Sequence, residues 1–145
     1  MNRVYPRLLL ASSLLSLALL PACSSNDTTA PTTGPTTLQI TDITVGTGAT
    51  AVAGDTVTVN YIGAFLDGTI FDSSIARGVP YPFLLGANPL QVIKGFDQGV
   101  TGMKIGGRRL VVIPSDLAYG SQGSGSIPPN TPIQFQIDLL SIVGK

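Results

Sequence analysis

The sequence predicts an α+β fold, mostly antiparallel β with one short helix, and three observations carry that reading. Apolar residues alternate with polar ones at Val57, Val59 and Tyr61, and again at Ile133, Phe135, Ile137 and Leu139. This is the period of a half-buried strand with one wet face. Asp67-Gly68 separates two extended runs, and such a pair accepts the positive φ that a tight hairpin needs. Helical spacing occurs at Val92, Phe96 and Val100, with Ile93 beside them.

The elements follow in order. Leu38–Val45 is expected to be a strand closed by the Gly46-Thr47-Gly48 turn. After the Ala53-Gly54-Asp55 turn comes the alternating strand, the hairpin over Leu66–Thr69, and renewed extension at Ile70-Phe71-Asp72. Arg77–Pro82 is expected to be irregular because Pro80 and Pro82 punctuate it, with a short strand at Phe83-Leu84-Leu85. In the helix, Gly95 and Gly99 each cost about 1 kcal/mol relative to Ala. Glycines in so short a helix point to close packing on a sheet. Leu110–Ile113 is an apolar, β-branched run that reads as a buried strand ended by Pro114. Ser115–Pro132 contains Gly120, Gly123, Gly125, Pro128, Pro129 and Pro132, and is expected to be a long loop. A long loop of that kind between strands is usually functional. It carries Tyr119 and Ile127, an aromatic with a polar tip and an apolar residue, which suit a binding wall.

Residues 1–22 precede this domain as a targeting segment. Arg3 and Arg7 form a basic front, and Leu8–Leu20 is an apolar stretch interrupted only by serines. That length suits a signal peptide better than a membrane span, which needs about 20 residues. Leu20-Pro21-Ala22-Cys23 resembles the lipobox of bacterial lipoproteins, in which the Cys is lipidated. Pro21 stands where a small residue is usual. The resemblance implies a lipid-anchored protein of the bacterial cell envelope, with Ser24 favouring the outer membrane facing the periplasm. An ordinary secretory signal with an incidental Cys is the alternative. Residues 23–37, nearly all Ser, Thr, Pro and Gly after the Cys, lack the apolar surface to offset chain entropy and are expected to form a disordered tether. The domain is placed at 38–145.

Composition excludes much chemistry. The 145 residues contain no His and one Cys, Cys23. No Ser-His-Asp or Cys-His triad, no zinc site with His or several Cys ligands, and no disulfide within the chain can be built. All 8 acidic residues are Asp, scattered rather than grouped as a calcium loop requires. No glycine spacing matches a nucleophile elbow, a dinucleotide fold or a phosphate loop. With a net charge of zero, nothing points to nucleic acid. No cofactor or metal is expected.

The motifs then line up as a set: VNYIG at 59–63, DGTIFDSS at 67–74, VIKGFDQGV at 92–100, GGRRLVVIP at 106–114, DLAYG at 116–120, IPPNTP at 127–132 and FQIDLL at 135–140. In this order they resemble the FKBP-type peptidyl-prolyl cis-trans isomerases over nearly all of Leu38–Val143. The resemblance implies a twisted antiparallel sheet of about five strands wrapped around one short helix, with a pocket between them. It implies proline-containing polypeptides as substrates, macrolides as candidate inhibitors and a monomer. It also implies Phe96 as pocket floor, and Tyr61, Phe71, Tyr81 and Phe135 as aromatic walls. Val92 and Ile93 would stand at one side, Tyr119 would donate to a substrate carbonyl, and Ile127 would cap the rim. Asp72 would be the acid facing the pocket, held by Tyr61 and Arg77. Asp72 and Tyr119 are thus the candidate catalytic residues.

Each residue also has a plainer reading. An aromatic on a strand usually belongs to the core, Asp72 before two serines suits a turn, and Tyr119 before Gly suits another. Only the ordered set of motifs favours a site. The pocket floor in well-known family members is Trp, where this chain has Phe96, and Ser126 replaces a common hydrophobic neighbour of Ile127. Two further readings follow: a module of the same fold that binds proline-containing segments without turnover, and a surface-tethered β domain with no pocket.

Overall fold

The computed structural model describes residues 34–145, and the signal peptide, Cys23 and most of the tether lie outside the described residues. Six strands form one sheet: β1 (Gln39–Thr44), β2 (Thr56–Phe65), β3 (Ile70–Ser73), β4 (Tyr81–Leu84), β5 (Arg108–Ile113) and β6 (Ile133–Ile142). A single-turn helix α1 (Ser74–Arg77) follows β3, and the main helix α2 (Lys94–Val100) precedes β5. The order is β1-β5-β6-β2-β3, and β4 also pairs with β2. Every pairing is antiparallel. The architecture is the expected one, with one strand beyond the expected five or so.

The longest strands sit at the centre. β6 runs along one edge of β2, from Val57 opposite Ile142 to Phe65 opposite Ile133. The other edge of β2 is shared: β4 covers Thr56–Val59 and β3 covers Ile62–Ala64. Strand alternation sends Val57 and Val59 of β2, Val111 and Ile113 of β5, and Ile133, Phe135, Ile137 and Leu139 of β6 into one buried layer. Phe96 and Val100 of α2 close that layer from the helix side.

The helix can lie this close because two of its positions lack a side chain. A Cβ on Gly95 would stand 2.3 Å from Ile113 Cγ2, and one on Gly99 would stand 2.8 Å from Val111 Cγ2. The two glycines therefore seat α2 on β5, as the sequence suggested.

Arg109 secures the same corner. It is buried on β5, donates from Nε to Asp42 Oδ1 at 2.6 Å and from Nη2 to Asp42 Oδ2 at 3.1 Å, and so ties β1 to the sheet. Its Nη1 donates to the Gly99 and Thr101 carbonyls at 2.9 and 3.2 Å, where the end of α2 leaves carbonyls without helical partners.

Two local expectations need correction. Arg77–Pro82 is not wholly irregular, because Arg77 ends α1 and β4 begins at Tyr81. Pro82 is tolerated there because β4 is an edge strand paired only with β2, so its missing N–H disrupts no ladder on the outer side. α1 is one turn with no apolar period to announce it. Ser73 caps it, accepting from the Ala76 N–H at 3.1 Å, and Gly78 ends it at φ 69°.

Candidate functional site: an aromatic hollow above the helix

Between β2, β3, β4, β6 and the start of α2 lies a cavity of about 190 Å³. Phe96 forms its base from α2, with Tyr61 and Phe135 standing around it from β2 and β6. Phe71, Tyr81 and Tyr119 complete the aromatic lining, and Val92 and Ile93 supply the aliphatic side. The rings meet edge to face. Phe96 and Phe135 are 5.1 Å apart between centroids at 88°, Tyr61 and Phe96 5.8 Å at 81°, and Phe71 and Phe135 5.8 Å at 87°. Such geometry sets positive ring edges against negative faces and holds each ring in one orientation.

The backbone makes room for this. A Cβ at Gly63, in the middle of β2, would lie 2.7 Å from a Phe135 ring carbon and 2.8 Å from one of Phe71. A glycine inside a strand often marks such a close approach.

Asp72 is the acid on the hollow, and its two oxygens are engaged. Tyr61 Oη donates to Asp72 Oδ2 at 2.6 Å, and Arg77 Nη1 donates to Oδ1. Arg77 Nη2 also donates to Tyr61 Oη at 2.8 Å, closing a ring of three side chains. α1 creates this ring by turning the chain after β3 so that Arg77 comes back over Tyr61. Ser74 fixes the turn, accepting from the Tyr61 N–H at 2.9 Å and donating to Asn60 Oδ1 at 3.0 Å.

Burial works against a charge on Asp72. Hydrogen bonds from Tyr61 and Arg77, with the guanidinium charge, outweigh it and hold the carboxyl below its ordinary range. Burial, and then the hydrogen bond to Asp72, push the Tyr61 phenol up, with Arg77 pulling the other way. Burial, followed by the Asp72 charge and Tyr81, also pushes Tyr119 up. Near neutral pH the hollow therefore presents a fixed carboxylate and protonated phenols.

Asp72, Tyr119 and most of the expected binding residues thus share one hollow. Two do not line it. Arg77 stands behind Asp72 and acts on the hollow only through that carboxylate and Tyr61. Ile127 is buried at 6 % exposure in the main core and is absent from the lining, not at the rim where the resemblance put it. Reciprocal backbone bonds cause this: Ser124 N–H to the Ile127 carbonyl at 2.9 Å and Ile127 N–H to the Ser124 carbonyl at 2.8 Å fold the loop back on itself. The hollow also includes Gln91, which no sequence signal marked.

At about 190 Å³ the hollow is smaller than the roughly 300–1,000 Å³ of sites that enclose a drug-sized ligand. It suits one small ring. Its rigid aromatic walls, with the sole acid tied down, define a domain that binds an apolar ring without attacking a bond. A model of the family described as FKBP-type peptidyl-prolyl cis-trans isomerase matches residues 48–140. The chain belongs to that family, and its activity is isomerisation of the peptidyl-prolyl bond.

Among relatives, an FK506-binding protein of Streptomyces anulatus is 50% identical over 111 residues, covering 74% of this chain and 88% of that protein. An FK506-binding protein of Neisseria meningitidis serogroup A is 45% identical over 106 residues, covering 72% and 95%. A chloroplastic isomerase of Arabidopsis thaliana, FKBP16-4, is 45% identical, and the matched region spans 77% of this chain and 50% of that protein. Among solved structures, AtFKBP13 superposes with a TM-score of 0.67 at 38% identity, covering 74% of this chain and 94% of that one. FkpA from Escherichia coli gives 0.66 at 40%, covering 72% and 47%.

Proposed function

We propose that the hollow accelerates X-Pro rotation by binding the twisted amide more tightly than the planar one, with no proton transfer and no covalent step. Resonance gives the C–N bond partial double character and a barrier of about 18–20 kcal/mol. Twisting removes that resonance and its charge separation. A dry aromatic hollow solvates the polar planar amide poorly and the less polar twisted amide better, so it favours the transition state. The proline ring sits on Phe96 between Tyr61, Phe71 and Phe135. Tyr119, whose hydroxyl has no hydrogen-bond partner among the described residues, donates to a substrate carbonyl. Asp72 acts as a fixed charge that orients Tyr61.

The observation that supports this most is the edge-to-face aromatic cage over Phe96, beside a carboxylate already engaged by Tyr61 and Arg77. The test is the rate of cis-to-trans conversion of an Ala-Pro or Leu-Pro peptide by the purified chain. Phe96→Ala should lower kcat/KM by about 100-fold and Tyr119→Phe by about tenfold, about 2.7 and 1.4 kcal/mol of transition-state binding. Full activity in both would defeat the reading.

A macrolide of the FK506 kind is a fitting inhibitor, presenting one ring to a hollow that has room for one. Phe96 offers it no indole N–H. We also assign the chain to exported clients at the bacterial outer membrane, held by lipidated Cys23 as a monomer. The only thiol in the chain lies at the end of a signal-like apolar run, ahead of a Ser/Thr/Pro-rich tether. Cys23→Ser should move the protein from the membrane fraction to the soluble fraction of an expressing bacterium. Retention on the membrane by the variant would refute the anchor.

A further inference from the structure

We propose that Gln91 sets a substrate preference, its side-chain amide donating a hydrogen bond to an acceptor on the residue next to the substrate proline. This rests on the reading of the hollow as the seat of the proline ring. Gln91 is exposed at the edge of the hollow, in the segment joining β4 to α2. One branch of its amide is occupied, since the backbone N–H of Leu84 donates to Gln91 Oε1 at 2.8 Å. An N–H can meet only the oxygen of an amide, so this contact distinguishes the two branches. The other branch is the Nε2 group, and among the described residues it donates to nothing.

The segment is fastened a second time, by the Gly86 N–H donating to Asp97 Oδ1 of α2 at 2.8 Å. Gln91 is therefore tied to the edge strand by its own side chain and carried on a pinned loop. The next two residues, Val92 and Ile93, form the aliphatic wall of the hollow. A peptide that seats its proline ring must lay a neighbouring residue across this rim.

The rest of the lining offers little competition as a fixed donor. The Asp72 oxygens are engaged, and the hydroxyls of Tyr81 and Tyr119 can rotate to donate or accept. The Gln91 NH₂ can only donate. It favours a carbonyl or carboxylate and leaves the ammonium of Lys or the guanidinium of Arg, donors themselves, without a partner. The preferred class is thus a proline flanked by Glu, Asp, Gln or Asn.

The experiment uses peptides with Glu, Lys or Ala immediately before or after proline, read by both kcat/KM and direct titration of binding. Gln91→Glu keeps an oxygen for Leu84 and replaces the free donor with negative charge. It should lower the Glu-to-Lys ratio at the contacting flank by about tenfold, as expected for an exchanged charged hydrogen bond. Gln91→Met removes both branches and should bring that ratio toward one. A role confined to holding the loop would change every peptide by the same factor. Glu-to-Lys ratios equal to wild type in both variants, at both flanks, would overturn the proposal. Were the wild type to turn over no peptide, the isomerase mechanism would fall, while the binding ratios would still decide the role of Gln91.

Discussion

Asp72 is held by two donors, and this limits what its charge can do. A general acid or base needs a free lone pair and a pKa near the working pH. Asp72 has its oxygens taken by Tyr61 and Arg77 and its carboxyl below the ordinary range. Asp72→Asn keeps the shape and one acceptor for Tyr61, so kcat/KM should stay within about tenfold of the parent, about 1.4 kcal/mol. Complete loss of turnover in a variant with the parental circular dichroism would show that the charge is needed for the chemical step. Legibility at this scale was uneven. The rings and Asp72 could be named because they stand inside ordered motifs. Gly63 stood in one too, but its service to Phe71 and Phe135 depends on strands remote in sequence. Gln91 carries no local signature, since its role comes from a hydrogen bond to a neighbouring strand. Ile127 was misplaced because the reciprocal Ser124–Ile127 bonds are loop geometry, which composition does not reveal.

At the scale of elements, α2 shows tertiary packing overriding local propensity. Replacing Gly95 with Ala should help an isolated helix by about 1 kcal/mol. In the folded protein the new Cβ would stand 2.3 Å from Ile113, a side chain that is fully buried. Overpacking of a tight core costs about 1–3 kcal/mol and occasionally more. The second effect wins, so Gly95→Ala should lower stability by about 1–2 kcal/mol, read as an earlier midpoint in urea with an unaltered slope. A midpoint equal to or later than the parent's would mean that α2 can lift off β5 without penalty. The same contrast explains which elements the chain announced. β2, β6 and the hairpin were legible because each has one buried and one wet face, and alternation reports that directly. α1 is too short to have a period and depends on the Ser73 cap and Gly78. β4 was started late because Pro82 looks like a breaker until the edge position of the strand is known.

At the scale of the whole molecule, the absence of His from the sequence becomes a statement about pH. Asp42, through its Arg109 hydrogen bonds, Asp55, through Lys145, and Asp67, through the Thr69 N–H, all have carboxyls below their ordinary value, as does Asp72. A group with a depressed folded pKa contributes stability above its unfolded pKa of about 3.9, and that contribution is lost as pH falls through the lower folded value. On the alkaline side, Tyr61 and Tyr119 are raised. Their contribution is complete below the unfolded value of about 10 and is lost as pH rises through the folded one. Between these limits none of the shifted groups changes charge, and the mechanism moves no proton. Both stability and kcat/KM should therefore be flat from about pH 5 to about pH 9, with stability falling below about pH 4. The measurement is a pH series of thermal midpoints beside a pH–rate profile on an X-Pro peptide that does not itself titrate. A bell-shaped rate profile inside that window, over a flat stability profile, would require a proton-transferring group and would remove the basis for catalysis by the aromatic hollow alone.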